Sequence, residues 1–230
     1  MCLPTAITDK LNLRFNFNEL SIIIANFDLK CPKILTGPGP KGFKVTYSKM
    51  IEKIEHWQSS LATTTADFKR AFEHLDREAL YQKPQAGTWS IAENIQHLMV
   101  INSSYFPIFK QVEEGSYQKP FIGNFGFLTK AIGNMILKSV DPENPKKINT
   151  IPVWKPEKYE EKEQEKLLEA FEAHQQEFSD WIVRLKPALE KGQVIHSPAN
   201  RLIAYPLEMA MDIITTHEKR HLAQAKRVLK

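Results

Sequence analysis

Cysteine is nearly absent from this chain, and both examples, Cys2 and Cys31, precede residue 32. Two thiols cannot supply a disulfide framework for 230 residues. Stability must therefore come from a packed core, and a reducing, cytoplasmic setting is expected. Long apolar runs are missing too. Ile22 to Ala25 is far too short to cross a bilayer, and Phe121 to Val140 is broken by three glycines, Lys130 and Lys138. No membrane partner is expected on this ground. Met1 to Lys10 has no basic segment leading into an apolar one, so no secretory signal is read. A one-signed charge is lacking as well. The net +4 resides in residues 1–49, which hold seven Lys/Arg and three Asp/Glu; the remainder carries 24 of each. The body is neutral, and no nucleic-acid partner is expected.

What is present is 42% hydrophobic residues, enough for one sizeable core. Residues 1–46 read as an irregular or partly disordered extension. They contain apolar runs at Leu11 to Phe17 and Leu20 to Phe27 and a Gly-Pro-Gly-Pro knot at 37–40, with no helical stripe. From Tyr47 the pattern changes. Ile51, Ile54, Gln58, Leu61, Thr65, Phe68, Phe72 and Leu75 recur at alternating spacings of three and four, which predicts a long amphipathic helix beginning near Tyr47 to Met50. Ser90 to Glu93 is a capping box that opens helix two, and Pro107 is expected to kink or end it. An insert of about 115–156 carries one short helix near Leu128 to Val140. Helix three is expected from Glu157 to Leu185, and helix four from Pro206 to Lys230. No strand is read after residue 47. The fold class is therefore all-α: a four-helix bundle over 47–230 with a long insert between helices two and three. Residues 1–45 are expected to be dispensable, with Met50 a candidate start of translation. The counter-reading is an arm that packs on the bundle or on a second subunit.

Seven histidines are candidates for chemistry. His217 and His221 stand four apart on one helix face, so both imidazoles can reach one ion. The expected stripe of that helix is Ala210, Ile214, His217, His221, Gln224 and Val228. Two polar rings in an apolar seam need satisfaction, by a metal or by hydrogen bonds. His97, about one and a half turns into helix two, would complete a three-ligand site with an open position if helices two and four are neighbours. His174, between Phe171 and Phe178, reads as a partner behind the ligands or a bonded core histidine rather than a fourth ligand. Glu93 is accounted for by the capping box, with a site role as the alternative. Gln224 could hold a metal-bound water or a ligand ring. Arg220 could reach an anionic substrate, or pair with Glu218 or Asp212. His56 and His74 fall off their stripe, and His196 is read in a loop. Glu218 is read as pointing away from the histidine face, into solvent.

His217-Glu218-Lys219-Arg220-His221 also has the HExxH form of zinc proteases. Three features oppose that reading: charged residues at both central positions, only nine residues after the motif for a third ligand, and no upstream sheet.

Trp89-Ser90-x-x-Glu93-x-x-x-His97-Leu98 and His217-x-x-Arg220-His221-x-x-Gln224 resemble the two signatures of DinB-like proteins, in the same order and on matching helices. Pro152-Val153-Trp154-Lys155-Pro156 resembles a third element of that pattern. The resemblance covers about Met50 to Lys230. It implies a four-helix bundle with a long crossover and a divalent ion, zinc or nickel, held by His97, His217 and His221. It also implies chemistry of the thiol-dependent kind, in which a small thiol is joined to an electrophile. Arg220 and Gln224 would then be groups beside the metal that act on substrate. A homodimer is compatible with this reading. A metal-binding bundle without turnover and a metal-dependent hydrolase are the alternatives.

Overall fold

The computed structural model describes residues 41–144, 146, 149–156 and 166–229, with side chains from residue 49 onward. The extension read at 1–46 lies almost wholly outside the described residues, as does the expected start of helix three at Glu157. Among the described residues stand seven α-helices and one hairpin: α1 (Lys41–Phe72), α2 (Arg77–Tyr81), α3 (Ile91–Glu113), α4 (Gly126–Ser139), α5 (Leu167–Arg184), α6 (Lys186–Glu190), β1 (Val194–Ser197), β2 (Asn200–Pro206) and α7 (Leu207–Val228). Among the described residues no helix is long and apolar enough to cross a membrane.

The four long helices α1, α3, α5 and α7 form the bundle. α1 packs on α5 and α7, and α3 packs on the same two, so α1 lies diagonally across from α3. This arrangement puts α3 beside α7, as a site shared by helices two and four requires.

Four expectations are corrected. Helix one is already formed at Lys41, ahead of the expected start. α3 does not end at Pro107 but runs on to Glu113, because Tyr105, Ile108 and Phe109 are buried on both sides of the proline and hold the helix in the core. The segment read as a loop after helix three holds an antiparallel hairpin, pairing Val194 with Pro206, Ile195 with Tyr205 and His196 with Ala204. His196 is accordingly a buried strand residue. Its strands are short, and their apolar residues contact α4 and the bundle rather than a second sheet face, so no extended alternation marks them. Finally, the buried line of α7 passes through Leu207, Met211, Ile214, Glu218, His221 and Ala225. Ala210, Ile214 and His221 of the expected stripe are buried, but the centre of the buried face is shifted by about one residue, which leaves His217, Gln224 and Val228 half-buried at its edge.

The apolar core falls into two clusters. One gathers Trp57, Phe109, Phe178 and Ile214; the other gathers Phe68, Phe72, Ile91 and Phe171. Between them, every long helix contributes buried polar side chains: Thr64 and Thr65 from α1, Asn102 from α3, His174 and Gln175 from α5, and Thr215, Glu218 and His221 from α7. A polar belt thus crosses the bundle at mid-height. Each buried polar group without a partner costs about 1–3 kcal/mol, so such a belt is a stability deficit unless it is used.

Candidate metal centre

One side of this belt opens onto three histidines. His97, His217 and His221 each offer one ring nitrogen, and the three nitrogens lie within 4.8 Å of one another. His97 comes from α3, and the other two come from successive turns of α7. The depth match follows from the start of α3. Ser90 caps it, with Ser90 Oγ accepting from the Glu93 amide (3.1 Å) and Glu93 Oε2 accepting from the Ser90 amide (2.9 Å). The other Glu93 oxygen meets Lys83 Nζ at 2.7 Å. Glu93 is therefore engaged in the cap and an ion pair.

Two of the rings are held by their outer nitrogens. Asn94 Nδ2 donates to the Ser90 carbonyl (2.8 Å), which turns Asn94 Oδ1 toward His221 Nδ1 at 2.9 Å. His221 must then carry its proton on Nδ1, leaving a bare lone pair on Nε2. That Nε2 sits 3.0 Å from His217 Nε2. His97 Nδ1 donates to the Trp154 carbonyl at 2.6 Å, which again leaves Nε2 free. Such outer hydrogen bonds fix tautomer and ring orientation in metal-ligating histidines. The Trp89 ring closes one wall, 4.6 Å from the His97 ring and stacked 5.7 Å from that of His221.

Burial keeps these imidazoles neutral. It lowers the pKa of His97 to about 4, against a raising effect of the Trp154 carbonyl. Burial lowers that of His217 to about 3, assisted by His97 and the Arg220 charge. His221 is pushed well below the ordinary value by burial, then by His217, His97 and Arg220. Neutral imidazole is the ligating form, so the donors are ready without deprotonation even in mild acid. Three neutral nitrogen donors, with no carboxylate among them, fit zinc, nickel or copper better than magnesium or calcium.

Of the other expected site residues, His174 and Arg220 are engaged elsewhere. Gln224 is half-buried and makes no hydrogen bond among the described residues. His174 lies against the Phe106 ring at 5.4 Å, outside the cluster, with its pKa lowered to about 4 by burial. Arg220 is committed to structure. Its Nη1 donates to the carbonyls of Asp141 (2.6 Å) and Asn144 (3.0 Å), and its Nη2 to that of Lys146 (2.7 Å). It meets neither Glu218 nor Asp212, because the insert reaches it first and offers three carbonyls to one planar fork. Arg220→Ala should accordingly cost about 1–2 kcal/mol. Hydrogen exchange at Asp141 to Asn144 should accelerate while metal affinity stays within about threefold. Unchanged exchange there would refute the clasp.

Three features escaped the sequence reading. Asn94 is one residue past the capping box and three before His97, a spacing that shares a helix face, so it was accessible in principle. The Trp154 carbonyl was not, since any residue carries one; the short 3-10 turn Pro152–Trp154 delivers it. Glu218 is the clearest correction. It is fully buried rather than solvated, and Asn102 Nδ2 donates to its Oε1 at 2.8 Å. Its Oε2 and both Gln175 amide atoms lack a hydrogen bond of normal geometry, although Gln175 is close enough to favour the charged form.

No curated protein and no solved structure matches the chain significantly. A family model described as the DinB superfamily matches residues 60–225, which contain the cap, both histidine-bearing helices and the insert between them. The chain belongs to the DinB superfamily.

Proposed function

We propose that this protein is a divalent-metal-dependent enzyme that joins a small thiol to an electrophile, with His97, His217 and His221 as the metal ligands. The observation that carries the reading is the convergence of three neutral imidazoles, two of them buried and fixed by outer hydrogen bonds. A bound ion would supply Lewis acidity that favours the thiolate over the thiol near neutral pH. The chain's own contributions are positional. Asn94 and the Trp154 carbonyl hold two rings, and the Trp154 indole, donating to Ser104 Oγ at 3.2 Å, ties that turn to α3. Trp89 excludes water from one side. Gln224, one turn beyond His221 and half-buried, would meet a polar group of the thiol.

In the transfer, the sulfur loses its proton to solvent and forms the new bond to the electrophilic carbon, whose leaving group departs with the bonding pair. The test uses purified protein loaded with zinc or nickel, a panel of low-molecular-weight thiols and an aryl chloride. Thiol consumption should require both the metal and His221. Ester hydrolysis without thiol consumption would favour a metal-dependent hydrolase.

A second reading has its own support, since the cluster joins α3 to α7. A metal that raises Tm without any turnover would make the site a staple between helices.

A further inference from the structure

Away from the histidines, the region between α3 and α5 builds a lobe with an unusual surface. A 3-10 turn (Phe121–Asn124) leads into α4, and both pack against β2. Glycine permits the close contacts. A Cβ on Gly123 would stand 2.6 Å from Lys119 Cγ, and one on Gly133 would stand 2.7 Å from Met209 Sδ. With its inner side anchored in this way, the lobe turns its largest apolar side chains outward. Phe127 is 89% exposed, Phe121 79% and Met135 65%, and Leu202 on the adjoining strand is 76% exposed. Phe125, half exposed, meets Phe121 edge-on at 5.4 Å. Isolated exposed apolar residues need no explanation, but a cluster of protruding aromatics does.

Charge gives the second observation. Residues 115–140 contain Lys119, Lys130 and Lys138 and not one Asp or Glu. Residues 191–207, which include the hairpin, contain Lys191 and Arg201 and again no acid. Elsewhere in the body, residues 50–230 without these two segments, 24 acids stand against 19 bases. The lobe is thus a basic, aromatic-tipped surface on a body whose remainder is net acidic.

From these two observations we propose that this lobe is a docking surface for an anionic lipid bilayer, with Phe121 and Phe127 entering the headgroup region while Lys119, Lys130 and Lys138 meet the lipid phosphates. Apolar residues on one side of a helix with lysines around them are the chemistry of interfacial attachment, which needs no spanning segment. A second copy of the chain fits less well. A two-fold contact through this face would set each lysine against its own counterparts with no acid to offset them.

The test is flotation of the full-length, metal-loaded chain with vesicles of phosphatidylcholine alone and of phosphatidylcholine mixed with phosphatidylglycerol. Binding should be confined to the anionic vesicles and should weaken as salt is added. Phe121→Ser combined with Phe127→Ser should reduce it at least about tenfold. Lys130→Gln and Lys138→Gln should each reduce it about fivefold. Circular dichroism checks that the variants remain folded, and the lysine variants carry the test if the phenylalanine pair does not. Equal binding to both vesicle types, or none to either, would overturn the proposal. So would binding that survives in both sets of variants, which would assign it to another part of the chain. Concentration-dependent dimers abolished by the phenylalanine substitutions, without vesicle binding, would assign the face to a second copy.

Discussion

Replacing His221 by Ala should abolish stoichiometric metal binding while leaving the helical circular dichroism signal within a few per cent of the original. The donor set holds three nitrogens, and His221 is the one whose proton is pinned to the far side by Asn94. Its loss leaves two nitrogens on different helices. The affinity loss should exceed the roughly 10–100-fold expected when only an outer hydrogen bond is removed. Asn94→Ala supplies that smaller effect and serves as the internal comparison. Helicity should persist because the apolar clusters on either side of the site contain none of the three histidines. Isothermal titration with zinc reads the affinity. Undiminished stoichiometry in His221→Ala would remove the three-histidine assignment. An unfolded metal-free protein would show that the site is structural.

The second large effect concerns Glu218. Burial raises its pKa from 4.5 to about 7, against opposing effects of Gln175, Asn102 and the Lys219 charge. The folded state therefore keeps this proton up to about pH 7, whereas the unfolded chain releases it near 4.5. Folding takes up a proton across that window, so this group lowers stability as pH rises through it, reaching about 3 kcal/mol above pH 7. Glu218→Gln removes the ionisation and keeps an acceptor for Asn102. Metal-free Glu218→Gln should be more stable than the parent by about 1–3 kcal/mol near pH 8, with the gap closing near pH 5. The buried histidines act in the opposite sense. The unfolded chain protonates them below 6.5, while folded His97 and His217 resist until about 4 and 3, so stability falls on acidification in both proteins. The difference between the two urea-unfolding curves isolates the carboxylate. A gap that does not change with pH would show that Glu218 is not held protonated.

Such a residue is a poor choice for stability alone. A protonated carboxyl at the centre of the bundle, one position from a histidine of the cluster, marks a belt where packing has been given up for polar groups. Sites that bind or react commonly carry such local costs.

Much of the bundle was legible because helices announce themselves locally. The three-four spacing of Ile54, Leu61, Phe68 and Phe72 requires only that one face meet a core, and each of these residues is buried. The capping box at Ser90 and Glu93 is a contact between near neighbours, and it forms as read. The pairing of His217 with His221 is likewise set by helix geometry, which brings their Nε2 atoms to 3.0 Å. Less was legible where a choice depends on a partner distant in the chain. A stripe read by periodicity is uncertain by one residue, about 100° of rotation. That is the difference between a solvated Glu218 and the buried one that meets Asn102 of the neighbouring α3. The hairpin escaped because its short strands are stabilised by α4 and the bundle rather than by an alternation of their own.

The amino-acid sequence by itself determined four helices, the cap of the second and which side chains could bind an ion, since all of these follow from interactions within a few residues. Only the tertiary structure decided that α3 lies beside α7, that the Trp154 carbonyl holds His97, that Arg220 is occupied by the insert, and that Glu218 is buried. Each of those depends on contacts between residues 57 or more apart, whose free energy is settled by packing the whole chain and not by any local pattern.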